Sequence, residues 1–191
     1  FILSIAKNAA VDFAKSVGIF SLELTKMQVL MRLISIESEI NTEKLFKGEL
    51  RDDELQLMRK KTVSLMKAPI FIDDSPSFSM EEFSWKAKQL VEKKNIELII
   101  VDCIHYSQLM ELGDYDELQN CNVFNRLNDV SKKLNIPVIA VLQLGDLGIR
   151  SPQISDLRQP FDVEKDADVI IFLDRPEAHG IVEDAKGNST V

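Results

Sequence analysis

Residues 97–102 read Glu97-Leu98-Ile99-Ile100-Val101-Asp102, an aliphatic run that closes on an acid. So short and so continuously apolar a run is the pattern of a strand buried on both faces, as in a parallel sheet. Similar stretches lie on either side of it at 17–22 (VGIFSL), 69–73 (PIFID), 137–142 (PVIAVL) and 168–173 (DVIIFL). The segments between them carry helical periodicity. Residues 3–15 repeat Leu3, Ile5, Ala6, Ala9 and Phe13, and 26–38 repeat Met27, Leu30, Met31, Leu33 and Ile34 behind a Thr25/Gln28 capping box. Ser79 and Glu82 form a second such box for a helix over 80–94, and 51–66 and 117–134 complete the helical set. Strand alternating with helix predicts an α/β fold built on a mostly parallel sheet. Without repeats or a low-complexity linker, a single domain over 1–191 is the economical expectation.

Composition narrows the classes. The 191 residues are 45% apolar and 28% charged, which are globular proportions. The formal net charge is −8 and the pI about 4.9, so bulk charge does not draw the chain to polyanions. No apolar run reaches the ~18 residues of a membrane span. Cys103 and Cys121 cannot make a disulfide framework, which points to a reducing cytoplasm. The chain opens on Phe1 rather than an initiator methionine, which suggests sequence upstream of it.

Parallel sheets gather ligands at the carboxyl ends of their strands, so the polar residues there are the candidates for chemistry. Asp102 ends the 97–102 strand, where nucleotide-binding folds present a carboxylate to the magnesium of a triphosphate. The alternative is an Asp that caps a turn or helix. Glu23 follows the 17–22 strand and is placed to polarise a water for attack on a phosphate, or else to open the next helix at its positive end. Gln143 follows the 137–142 strand, either as a neutral amide that senses a phosphate or water, or as an ordinary loop residue.

Taken together, these strand ends resemble a known family. The runs Phe20-Ser21-Leu22-Glu23, Pro69-Ile70-Phe71-Ile72-Asp73-Asp74, Leu98 to Asp102, Leu134 to Ala140 and Ser155-Asp156-Leu157-Arg158 follow the family's order. So do Glu164 to Ile170 and Arg175-Pro176-Glu177, with Gly187-Asn188-Ser189-Thr190 similar to an insert in some bacterial members. All are similar to the C-terminal, RecA-like motor domain of DnaB-type replicative DNA helicases, over nearly the whole chain. The resemblance implies an ATP-hydrolysing motor for DNA unwinding in replication, with ATP and Mg²⁺ as cofactors. DNA and other helicase subunits would be its partners, without a membrane. Glu23 would activate the attacking water, Asp102 would be the Walker B carboxylate on Mg²⁺, and Gln143 would couple the phosphate site to a DNA-facing loop. Asp156 and Arg158 join the nucleotide-binding candidates, with a local ion pair or turn as the other reading. Asp166 and Asp168 match the same signature without an assigned role.

The chain also departs from that family. The Gly-rich phosphate loop expected before the first helix is not among its residues, which hold no glycine before Gly18. The basic residues of the family's final strand fall beyond Val191. After Asp102 the residues Cys103-Ile104-His105-Tyr106-Ser107 stand before Gln108-Leu109-Met110, as though about three residues were inserted. Cys103 and His105 are too few for a metal site. The stretch 102–120 carries Asp102, Glu111, Asp114, Asp116 and Glu117 without a Lys or Arg. The second DNA-facing loop, between Gln143 and Ser155, keeps Arg150 as its one basic residue and so as the DNA-binding candidate. Two functions follow as expectations. One is the helicase motor, inactive as this segment alone because the phosphate loop is missing. The other is a degenerate, non-catalytic relative that acts as an interaction module.

Overall fold

Strand β1 (Val17–Ser21) is buried along its whole length, as its apolar run requires. In the computed structural model, which describes residues 1–75, 79–105, 123–144, 150–157, 163–175 and 177, β1 lies inside a four-stranded sheet. The other strands are β2 (Ile70–Asp73), β3 (Leu98–His105) and β4 (Val138–Gln143), in the order β2-β1-β3-β4. β1 runs parallel to both neighbours, with Val17 opposite Ile70 and Leu98, and Ser21 opposite Asp102. The expected α/β class with a parallel sheet is therefore the observed one.

Around the sheet run α1 (Ile2–Lys7), extended by a π-helical turn over Asn8–Asp12, and then α2 (Lys26–Ser38), α3 (Thr42–Lys47), α4 (Asp52–Lys61) and α5 (Val63–Lys67). Further along come α6 (Met80–Lys94), α7 (Val123–Leu134), a short 3₁₀ turn over Ile154–Leu157, and α8 (Val163–Asp166). The chain gathers into two compact units, one of Phe1–Ile104 with Asp129–Leu142, the other of His105–Asn128 with Gln143–Val191. In the first, alternate β1 side chains serve opposite faces of the sheet. Val17 and Ile19 join Leu3, Ala6, Val29, Leu33 and Ile100 in one core, while Phe20 meets Phe83 of α6 edge to face at 4.8 Å. Each such fully buried aliphatic or aromatic side chain contributes roughly 1.5–3 kcal/mol. In the second unit Val123, Phe124, Leu127, Leu157 and Val163 are buried. None of the helices among the described residues is long and apolar enough to cross a membrane.

Several expectations change. The first helix stops at Asp12, and Ala14 in the left-handed region (φ 52) turns the chain away. β3 does not end on Asp102 but continues through the apolar Cys103 and Ile104 to His105. Residues 168–173 form no strand: Val169, Ile171 and Leu173 are 76%, 63% and 64% exposed, and no neighbouring strand bonds them among the described residues. An extended run becomes a strand only when another backbone pairs with it. The single helix expected over 51–66 breaks at Thr62 into α4 and α5. Residues 117–122, Gly145 to Ile149, Arg158 and Gly187 to Thr190 lie outside the described residues, as do Glu111, Asp114 and Asp116.

Candidate functional site

Asp102 owes its position to the register of the sheet. It pairs with Ser21, the last residue of β1, so that Glu23 stands just past the same strand end. The turn that carries Glu23 is fixed from both sides. Ser21 Oγ donates to the Leu24 carbonyl at 2.6 Å, and Leu22 N–H donates to the Asp102 carbonyl at 2.5 Å. Two residues beyond Glu23, Thr25 caps α2. Its Oγ1 accepts from Gln28 N–H at 3.3 Å while Gln28 Oε1 accepts from Thr25 N–H at 2.8 Å, so the capping box read from the sequence forms in full.

The Asp102 carboxyl is partly buried, and its surroundings are uneven. Desolvation raises its pKa above the ordinary range; the Arg32 guanidinium on α2 opposes that rise, and the Glu23 carboxylate adds to it. Glu23 and Arg32 are both exposed, so the arrangement is a half-buried acid flanked by an exposed acid and an exposed cation. Arg32 carried no signal in the sequence, because helical periodicity marks the apolar face of α2 and not its polar one. The peptide bond between Asp102 and Cys103 is cis, and the Cys103 side chain is buried and outside any disulfide among the described residues. Among the described residues no group of three or more His, Cys, Asp or Glu is close enough to hold a metal ion by itself.

A second polar cluster sits at the end of β2. Lys86 Nζ of α6 donates to Ser75 Oγ at 2.7 Å and pairs with Glu82 at 2.8 Å and Asp73 at 3.2 Å. Burial works against the charge of Asp73, but hydrogen bonds from Ser75 and Lys86 outweigh it and hold the carboxyl below its usual range. Asp74 accepts the Lys26 N–H at 2.7 Å at the start of α2.

The remaining candidates belong to the second unit. Gln143 closes β4 and is exposed. Arg150 and Asp156 form a bidentate pair at 2.6 and 2.8 Å, and Asp156 also accepts the Gln153 N–H at 2.8 Å. The Arg150 hydrogen bonds, with that of Gln153, pull the Asp156 pKa down to about 2. Asp156 thus makes a local ion pair, and its partner is Arg150. Asp166 accepts from Asn125 at 3.2 Å, and Asp168 is exposed.

The comparisons with known proteins agree with this architecture. One solved structure, an ATPase domain, superposes with a TM-score of 0.78 at 24% identity, covering 93% of this chain and 65% of that one. A second, described as a DnaB-like replicative helicase and its interactions with primase, superposes with a TM-score of 0.70 at 23% identity over 87% of this chain and 42% of that one. At such identities they establish the fold. In sequence the chain is 36% identical over 183 residues to the replicative DNA helicase DnaB of Mycobacterium leprae, covering 92% of this chain and 30% of that protein. It is 31% identical over 182 residues to the DnaB of Geobacillus stearothermophilus, covering 93% and 40%. The chain thus spans well under half the length of these relatives. The family profile of the DnaB-like helicase C-terminal domain matches residues 1–190. Over its whole described fold, the chain belongs to the family of DnaB-like helicase C-terminal domains.

Proposed function

We propose that this chain is the motor portion of an ATP-dependent replicative DNA helicase that works in the cytoplasm, with its nucleotide chemistry at Glu23 and Asp102. The observation that carries this reading is the sheet register, which sets Asp102 opposite Ser21 and so brings the Glu23 carboxylate into the field of Asp102. One half-buried carboxylate, desolvated and without a ligand cage, fits a Mg²⁺ ion that keeps most of its oxygens from phosphates and water. Bound there, such an ion would neutralise charge on the phosphates of ATP. Asp102 would be its protein ligand. Glu23, exposed at the strand end, accepts the proton of the attacking water. Arg32 offsets negative charge at Asp102 when no metal cation is present. By family resemblance Gln143, at the end of β4, is assigned to coupling the phosphate state to the loop that follows, and Asp156 and Arg158 are assigned as nucleotide-binding candidates.

The test is a hydrolysis assay on the protein that carries this chain. Glu23→Gln should lower kcat for ATP by roughly 10²–10⁴-fold while nucleotide binding persists. Retained hydrolysis in that variant would remove Glu23 from the chemistry. The 191 residues themselves hold no Gly-rich phosphate loop, so as an isolated polypeptide they should show no Mg²⁺-dependent hydrolysis. A measurable rate lost in Glu23→Gln would reverse that expectation.

A second reading, a non-catalytic interaction module of helicase descent, is favoured by the Arg150–Asp156 pair. The one basic residue of the loop expected to face DNA is already bound by a carboxylate. Under this reading DNA affinity is absent and nucleotide turnover stays at background even in the full protein.

A further inference from the structure

β2 is an edge strand: β1 covers one side, and among the described residues no strand covers the other. The register says which backbone groups are left. Val17 N–H donates to the Pro69 carbonyl at 2.9 Å, so Pro69, Phe71 and Asp73 turn their backbone toward β1. By alternation the N–H and C=O of Ile72 turn outward. Along this open side runs a groove of about 430 Å³ between β2 and α6, floored by Ile70, Ile72 and Leu90 and flanked by Trp85, which is 63% exposed.

The charged groups around the groove differ in how they are partnered. Its acids are engaged: Asp73 and Glu82 by Lys86, and Asp74 by the Lys26 N–H. Lys86 is paired with Asp73 and Glu82, but two further cations are not so engaged. Lys26 lines the groove with no carboxylate on its ammonium among the described residues, and Lys94 lies 5.4 Å over the Phe71 ring, likewise without a carboxylate. The groove's own lining holds Lys26 and Lys86 against Asp73, with Lys94 beside it over Phe71.

We propose that the β2 edge is a docking site for an extended acidic peptide segment of a partner protein, added as a further strand. Its backbone pairs with Ile72, its apolar side chains alternate into the groove against Trp85 and Leu90, and its carboxylates meet Lys26 and Lys94. Main-chain pairing supplies the affinity and the two lysines select for acidic partners. Neither Asp102 nor Glu23 lines this groove, so the inference does not rest on the nucleotide chemistry.

Trp85 is the only tryptophan in the chain, so its emission reports occupancy directly. The probe is a synthetic eight-residue peptide that alternates valine with aspartate or glutamate. Two controls go with it: the same peptide with lysine for every acid, and the acidic peptide N-methylated at alternate amides. The acidic peptide should shift Trp85 emission to the blue and saturate, with affinity that falls as salt rises. The lysine peptide should bind at least about tenfold more weakly, as should the N-methylated one, each having lost charge-assisted or main-chain bonds. Lys26→Glu, an exposed change whose folding is checked by circular dichroism, should weaken the acidic peptide by a similar factor. Equal binding of acidic and lysine peptides would overturn the proposal. So would full binding of the N-methylated peptide, an unaffected Lys26→Glu variant, or no binding at all.

Discussion

At the scale of single residues, Asp102 sets its own pH signature. Its folded pKa is raised, first by desolvation and then by Glu23, against the pull of Arg32. An acid with a raised folded pKa costs stability once charged, so that cost is absent below its ordinary value of 3.8 and grows as pH rises through the folded one. Asp102→Asn should therefore stabilise the fold at neutral pH, by no more than about 1 kcal/mol in urea unfolding because solvent screens the half-exposed carboxyl, and lose its advantage at about pH 3. A variant less stable than the parent at neutral pH would contradict this. Asp156 shows the opposite sign. Arg150 holds its pKa at about 2, so the pair contributes stability above 3.8 that is lost as pH falls toward 2. A carboxyl-carbon titration by NMR should place the Asp156 midpoint near 2, and Arg150→Ala should return it toward 3.8. Asp102 and Glu23 stood out in sequence as candidates because each follows an apolar run, although β3 itself continues past Asp102 to His105. The Arg150–Asp156 pair and the proximity of Arg32 did not stand out, since neither a loop conformation nor the polar side of a helix leaves a periodic trace.

At the scale of elements, helices were best read where local chemistry fixes their ends. α2 runs Lys26–Ser38 and α6 runs Met80–Lys94, as expected from Thr25/Gln28 and from Ser79, whose side chain accepts the Glu82 N–H at 3.1 Å. The Glu82 side chain is drawn instead to Lys86, four residues on, at 2.8 Å. Strand ends were read less well, because apolarity continues past the site in Cys103 and Ile104 while hydrogen bonding decides where the strand stops. Residues 168–173 make the same point from the other side: they have a strand's composition and no partner among the described residues. The Thr25 cap has consequences beyond stability, since α2 carries Arg32 and is capped two residues after Glu23. Thr25→Ala should cost about 1 kcal/mol in urea unfolding. The loop from Ser21 to Thr25 then loses its anchor at one end. The same variant should therefore lower kcat of the full protein more than a remote cap lost at equal cost. Asn41→Ala at α3 is such a control, where Asn41 accepts the Glu43 N–H at 2.7 Å. Equal effects of the two on kcat would separate the cap from the site.

At the scale of the whole molecule, the net charge of −8 sets the terms for nucleic-acid binding. Phosphate backbones are held by cations that release counterions, so affinity follows the number of Lys and Arg free to make contact. On the proposed reading Arg150 is the contact residue of its loop, yet its guanidinium lies within 2.6 and 2.8 Å of the Asp156 carboxylate. A phosphate must compete with that carboxylate, at the same fork of donors and with similar geometry. Exchange of one anion for another releases little, so Arg150 contributes almost nothing to affinity while Asp156 is charged. Asp156→Asn removes the competitor and one negative charge together. Binding of single-stranded oligonucleotide should then strengthen, and the slope of log K against log salt should steepen by about 0.7, the value of one further phosphate contact on a single strand. Arg150→Ala in the parent should leave that slope unchanged, and Arg150→Ala combined with Asp156→Asn should return it to the parent value. Were Arg150→Ala alone to flatten the slope by the full step, the guanidinium would already be on the DNA, and the pair with Asp156 would be a resting state that opens on contact.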